Sequence, residues 1–309
     1  MSTQSNAIPE ARVDTLVVAP VAIPPMRLLY WSVRRELWEY RSIYLAPLAA
    51  AGVFLFGFVV TAPHLVSTMR KASAMAGMQM HDALAQPYDM ASGFLMGIAM
   101  FVGAAYCLGA LYNERRDRSI LFWKSLPVSD TTAVLAKACI PLVVLPLVTV
   151  AITVALNFVM LLIHSAVLAA TGQSVTTLWA QVMPVQMWFM LLYHLIAVHS
   201  LWHSPFYGWM LLVSSWAKRA AFLWAALPVL AIGALERLFF NTSYFFQFLG
   251  YHLAGNESAV TPVKDWPISP MTHITPGHFL LSSGLWTGLI FTALCLVGAV
   301  RMRRYRSPL

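Results

Sequence analysis

Six apolar stretches, separated by short polar or charged segments, divide this chain. They fall at about 42–61, 90–111, 132–170, 186–216, 220–240 and 279–300. Each reaches or exceeds the roughly 20 residues that a helix needs to cross a hydrocarbon layer. The pattern predicts an all-α polytopic membrane protein with six transmembrane helices. Ahead of the first stretch, residues 26–41 alternate Leu28, Leu29, Trp31, Leu37 and Trp38 with Arg34, Arg35, Glu36, Glu39 and Arg41. That mixture predicts an amphipathic helix lying in the membrane interface. The third stretch, drawn as one straight helix, would measure about 60 Å, twice the hydrocarbon thickness. Pro141 and Pro146 are expected to bend it, Pro205 to break the fourth, and Pro228 to kink the fifth.

The connecting segments are read in the same way. Residues 64–89 form a polar insert rich in Ala and Met, expected as a lid-like amphipathic helix. Residues 172–184 read as a neutral loop. Residues 241–278 combine aromatics (Tyr244, Phe245, Phe246, Phe248, Tyr251, Trp266) with four prolines, which predicts short helices dipping into the outer leaflet. Residues 1–25 lack the basic start and apolar run of a cleavable signal peptide and read as a mobile cytoplasmic tail. Gly93, Gly97, Gly103 and Gly109 permit close helix packing along the second span.

Charge sets the orientation. With the N-terminus inside, the inner connections hold Arg34, Arg35, Arg41, Arg115, Arg116, Arg118, Lys124, Lys218, Arg219, Arg301, Arg303, Arg304 and Arg306. The outer segments hold only Arg70, Lys71, Arg237 and Lys264. The inside-positive bias predicts both termini in the cytoplasm, with 301–309 as a basic cytoplasmic tail. At 59% hydrophobic and 10% charged residues, the chain lies outside the soluble range. Its net charge of +8 comes from clusters beside the apolar runs, so no nucleic-acid partner is implied. Cys107, Cys139 and Cys295 all sit within apolar runs and predict no disulfide framework.

The stretch Tyr112–Asp130, YNERRDRSILFWKSLPVSD, lies between the second and third spans. Pro127 excludes Leu126 from the α region, so a short helix beginning near Asn113 is expected to stop there. Ser129 or Asp130 is expected to cap the next span. With its glutamate–arginine start, its apolar middle and its Pro127-Val128-Ser129 end followed by Lys137, the stretch resembles the cytoplasmic loop of ABC-2 family permeases of a proteobacterial type. Those are the membrane subunits of ABC exporters. The matching positions are Glu114, Arg115, Ser119, Ile120, Leu121, Pro127, Val128, Ser129 and Lys137; Arg118 stands where the family has Gly. A second likeness covers Trp216–Pro228.

The resemblance implies a type V ABC exporter-like fold and a coupling helix that docks on a separate ATPase subunit, present in two copies. It also implies a second copy of this chain or a close paralogue, and a bacterial inner membrane. The residues expected to couple to the ATPase are Glu114, Arg115, Arg116, Asp117, Arg118, Phe122, Trp123 and Lys124. No G-x-x-x-x-G-K-[ST] occurs in the sequence, so no cofactor is expected on this chain; ATP and Mg belong to the partner.

Other residues bear on the route across the membrane. Glu236 and Arg237, near the outer end of the fifth span, are expected to line the translocation path or to snorkel to the outer headgroups. Met96, Met100 and Trp224 are further expected path residues. His194, His199 and His203 read as packing or hydrogen-bonded histidines. The Met-rich insert (Met69, Met75, Met78, Met80, His81, Met90) offers soft ligands for copper-site assembly as an alternative reading. A proton-coupled secondary carrier is the other alternative, and the sequence points to no substrate class.

Overall fold

The computed structural model describes residues 24–72, 78–254 and 276–305. All regular structure among them is helical. Six helices are long and apolar enough to cross a membrane: Ser42–His64, Gln79–Arg116, Asp130–Ala170, Val175–Trp202, Ala221–Phe240 and Ser283–Tyr305. The protein is an all-α, multi-pass membrane protein.

Helix α1 (Pro25–Glu39) precedes span 1, whose main helix is α2 (Ser42–Thr61). Pro24 and Pro25 open α1 at positions where a missing N–H costs nothing. Helix α3 (Leu65–Ala72) follows. Span 2 is one helix, α4 (Met78–Arg116), and it is much longer than the apolar stretch predicts. Its first three turns fall in the expected insert. They stay helical because Leu84 and Tyr88 pack into a core with Met69, Met160, Leu161 and Leu178. Met80 packs against the same core.

After the short helix α5 (Ser119–Ser125), span 3 comprises α6 (Asp130–Cys139), a π-turn at Ile140–Val144 and α7 (Leu145–Ala170). The π-turn is where the prolines place the bend: Pro141 lies inside it and Pro146 just beyond it. The expected loop at 172–184 is instead largely helical, as α8 (Val175–Val182). Ser174 caps α8 by accepting from the Thr177 amide, Leu178 and Val182 bury its inner face, and Trp179 donates to Ser165 on α7. Met183, with φ at +46°, ends it before Pro184.

Helix α9 (Pro184–His194) continues through a π-helical stretch, Leu195–Trp202, to a turn at His203 and then α10 (Ser204–Trp216). The break falls immediately before Pro205, as its side-chain chemistry requires. Ser200 donates to the Leu195 carbonyl five residues back, the spacing of the π-helix itself.

Span 5 is α11 (Ala221–Phe240), with Pro228 inside it. Helices α12 (Tyr244–Ala254) and α13 (Pro276–Leu281) follow, short as the sequence predicts. Span 6 is α14 (Ser283–Tyr305), shifted several residues toward the C-terminus of the expected stretch. The expectations for residues 1–23, Met75, Trp266, the prolines between 255 and 275, and the last four residues lie outside the described residues.

Helices α10 and α14 approach closely through glycine. A Cβ on Gly288 would meet Pro205 Cγ at 2.9 Å, and one on Gly298 would meet Leu212 Cδ1 at 2.9 Å. Span 5 is the opposite case. Only 11% of its most apolar window is buried, and Phe222, Leu230, Leu238 and Phe240 are all exposed.

Candidate functional site

Helix α4 does not stop where its apolar run stops. It carries Asn113–Arg116 as its last turn, and the chain leaves it through Arg118 at φ +58°. The expected start of the short helix near Asn113 is therefore corrected to Ser119. The left-handed backbone of Arg118 is the conformation that Gly supplies without strain. Helix α5 ends at Leu126, extended before Pro127, and Ser129 caps span 3 by accepting from the Thr132 amide at 3.0 Å.

The charges around this hook are not spread over its surface. Glu114 is 2% exposed, and its carboxylate meets three cations: Arg35 Nη2 at 3.2 Å, Lys137 Nζ at 3.0 Å and Arg303 Nη1. Lys137, fully buried, also donates to Glu36 Oε1 at 2.8 Å. Glu36 accepts from Arg35 and, on its second oxygen, from Tyr106 Oη at 2.8 Å. Arg303 donates from Nε to Asp130 at 3.1 Å. Three buried or half-buried cations (Arg35, Lys137, Arg303) are thus met by four carboxylates (Glu36, Glu114, Asp130 and, at the exposed edge, Glu39 at 3.9 Å from Arg35). Burial by itself would raise the Glu36 carboxyl, but Lys137 and Arg35 outweigh it and hold it below the ordinary glutamate range.

This knot joins α1, the end of span 2, the start of span 3 and the end of span 6. Helix α5 is fastened to it. The Arg35 guanidinium lies 4.0 Å over the Trp123 ring, Ile120 is buried, and Lys124 donates to the Arg304 carbonyl at 3.4 Å. Arg115 is spent separately: it donates to the Ser215 and Ala217 carbonyls at the end of α10, at 2.7 and 3.2 Å.

The eight residues expected to meet an ATPase therefore divide. Glu114 and Arg115 are inside and bind this chain's own spans. Arg116, Asp117, Arg118, Phe122 and Lys124 are exposed, with Arg116 and Asp117 paired to each other at 3.0 Å. Trp123 is half-buried under Arg35. Sequence reasoning missed the roles of Arg35, Glu36, Tyr106 and Arg303. One signal was available: Lys137 is an ionisable residue inside an apolar stretch, and such a residue calls for a buried partner.

The expected path residues are not brought together. Glu236 accepts from Thr242 Oγ1 and the Tyr244 amide, both at 2.7 Å, and from the Phe245 amide at 2.8 Å. It caps α12. Arg237 is exposed beside it. Met96 borders a small cavity between spans 2 and 4 with Asp89, Ser92, Met190 and His194, and Met100 lies one turn further along α4. Trp224 packs on Trp216, near the acceptors of Arg115 and roughly 25 Å along the bundle from Met96 at 1.5 Å per residue.

The histidines are hydrogen-bonded: His194 to the Met190 carbonyl, His199 to Tyr207 Oη at 2.9 Å, and His203 to the Leu253 carbonyl. Among the described residues no group of three or more His, Cys, Asp or Glu side chains is placed to hold a metal. Comparison with protein-family models, curated proteins and solved structures gives no match.

Proposed function

We propose that this chain is the membrane-spanning subunit of an ATP-driven exporter of the ABC-2 type, with α5 as the element that receives force from a separate ATPase subunit. The observation that carries the reading is the fastening of α5. A force-receiving helix must be short, exposed on one side and fixed to several spans at once. Here Leu121 and Phe122 are 58% and 61% exposed, while Trp123 attaches α5 to α1, Lys124 to the end of span 6, and Ser119 to the Glu114 carbonyl at the end of span 2 at 3.4 Å. In this reading the charged end of the bundle and both termini face the cytoplasm of a bacterial inner membrane. ATP and Mg bind the partner, which is present in two copies. The exposed apolar face of α11 would, in the same reading, be covered by a second copy of this chain or a close paralogue.

In this reading the docking surface is the exposed side of the hook: Arg116, Asp117, Arg118, Leu121 and Phe122. The test is a photo-crosslinking residue at Phe122, introduced into the full chain in its native membranes. The expected product is a crosslink to a soluble ATPase bearing a P-loop. The double variant Arg116→Glu/Phe122→Ala should reach normal membrane levels, because both side chains are exposed, yet lose that ATPase on purification. Trp123→Ala should keep the ATPase and lose the stimulation of its turnover. An ATPase retained at the wild-type level by the double variant, with no crosslink from position 122, would overturn the reading.

A further inference from the structure

Helix α1 has two faces with different chemistry. Val33, Glu36, Leu37 and Tyr40 pack inward, against Ile43, Tyr106 and Cys107. Arg27, Tyr30, Trp31, Arg34 and Trp38 follow the i, i+3, i+4, i+7, i+11 spacing of a single outward stripe, and Arg41 lies just beyond the helix end. Tyr30, Trp31 and Trp38 are 58%, 49% and 68% exposed. The Arg34 guanidinium is held between two of them, 5.1 Å from the Trp31 ring and 4.9 Å from the Trp38 ring. The one acidic side chain near the stripe, Glu39, lies toward Arg35 at 3.9 Å.

A row of guanidiniums interleaved with indole and phenol rings matches a phospholipid headgroup layer. The rings sit at the water–hydrocarbon boundary, and the cations meet phosphate. The stripe also leads directly into span 1 at Ser42, so it lies at the level where the chain enters the hydrocarbon. Arg35, next in sequence to Arg34, points the other way, to Glu36, Glu114 and the Trp123 ring of α5.

We propose that the Arg27–Trp38 stripe of α1 is a binding site for anionic phospholipid, and that its occupancy holds α5 in place through Arg35. The inference does not rest on the ATPase reading, and neither measurement below involves nucleotide. The first titrates phosphatidylglycerol into the detergent-purified full chain and counts bound lipids by native mass spectrometry. Each arginine at an anionic surface contributes about fivefold in affinity. Arg34→Gln should therefore weaken binding about fivefold, and Arg27→Gln/Arg34→Gln/Arg41→Gln on the order of a hundredfold. Arg34→Lys should retain most of the affinity.

The second measurement follows amide exchange of residues 119–125 in nanodiscs of phosphatidylcholine, with or without phosphatidylglycerol. Exchange should slow with the anionic lipid in the wild type and stay unchanged in the triple variant. Equal binding of phosphatidylglycerol by wild type and triple variant would overturn the site. Wild-type exchange in α5 that is indifferent to lipid charge would overturn the link to α5.

Discussion

Glu114 and Glu236 are each held by three groups, and the groups differ in kind and in reach. Glu114 is buried among three cations that come from α1, span 3 and span 6, as far as 189 residues away. Glu236 meets only a hydroxyl and two amides, all within nine residues of itself. The first arrangement fixes the relative position of four segments of the bundle. The second sets one turn, between α11 and α12. A count of contacts does not separate the two. What separates them is whether the carboxylate has left water, because a buried charge cannot give up a partner without a large cost.

The sharpest way to break this contrast is Lys137→Met. It leaves Glu36 and Glu114 with one cation fewer in a buried site, at a cost of about 3–5 kcal/mol. Thermal unfolding of the purified chain should show that loss, and adding Glu36→Gln to the variant should recover part of it. An unchanged melting profile would mean that the knot is not what holds these segments together. Glu236→Gln should act only locally: amide exchange should rise in residues 244–254 and not in 119–125. A rise in both would show that the α11–α12 turn reaches the charged end after all. The smallest effect is expected at Arg118. Arg118→Gly removes a left-handed conformation that costs a non-glycine residue about 1 kcal/mol, partly offset by the greater freedom of glycine in the unfolded chain. Stability should rise slightly, whereas Arg118→Val should lower it.

The six spans were legible because hydropathy adds up over twenty residues and needs no knowledge of neighbours. The irregular turns at 140–144 and before Pro205 were legible because Pro141, Pro146 and Pro205 act on their own backbone. The span ends were not. Arg115 and Arg303 look like boundary residues in the sequence, yet both are drawn into helices. Their partners are Ser215, Ala217, Glu114 and Asp130, roughly 100 to 190 positions away. The same distance hid the division of the 114–118 run into buried and exposed members. A run of charges shows that something is paired, but only the fold shows with what. The helicity of α8 escaped for a related reason: its apolar face is too short to signal a span, and it forms because α4 and α7 supply the surface for it.

The glycine contacts between α10 and α14 have a mechanical consequence. Where side chains interlock, two helices can slide by exchanging rotamers. At Gly288 and Gly298 an added methyl would come within 2.9 Å of Pro205 Cγ and Leu212 Cδ1, so the helices lie closer than a larger residue allows without a shift. These two helices therefore form one closely joined pair. Its charged end is pinned twice to the last turn of α4, through Arg115 to α10 and through Glu114 to α14. Just before this pair lies the π-helical stretch Leu195–Trp202, where the hydrogen-bond ladder is out of α-helical register, so span 4 is expected to bend there rather than within the pair.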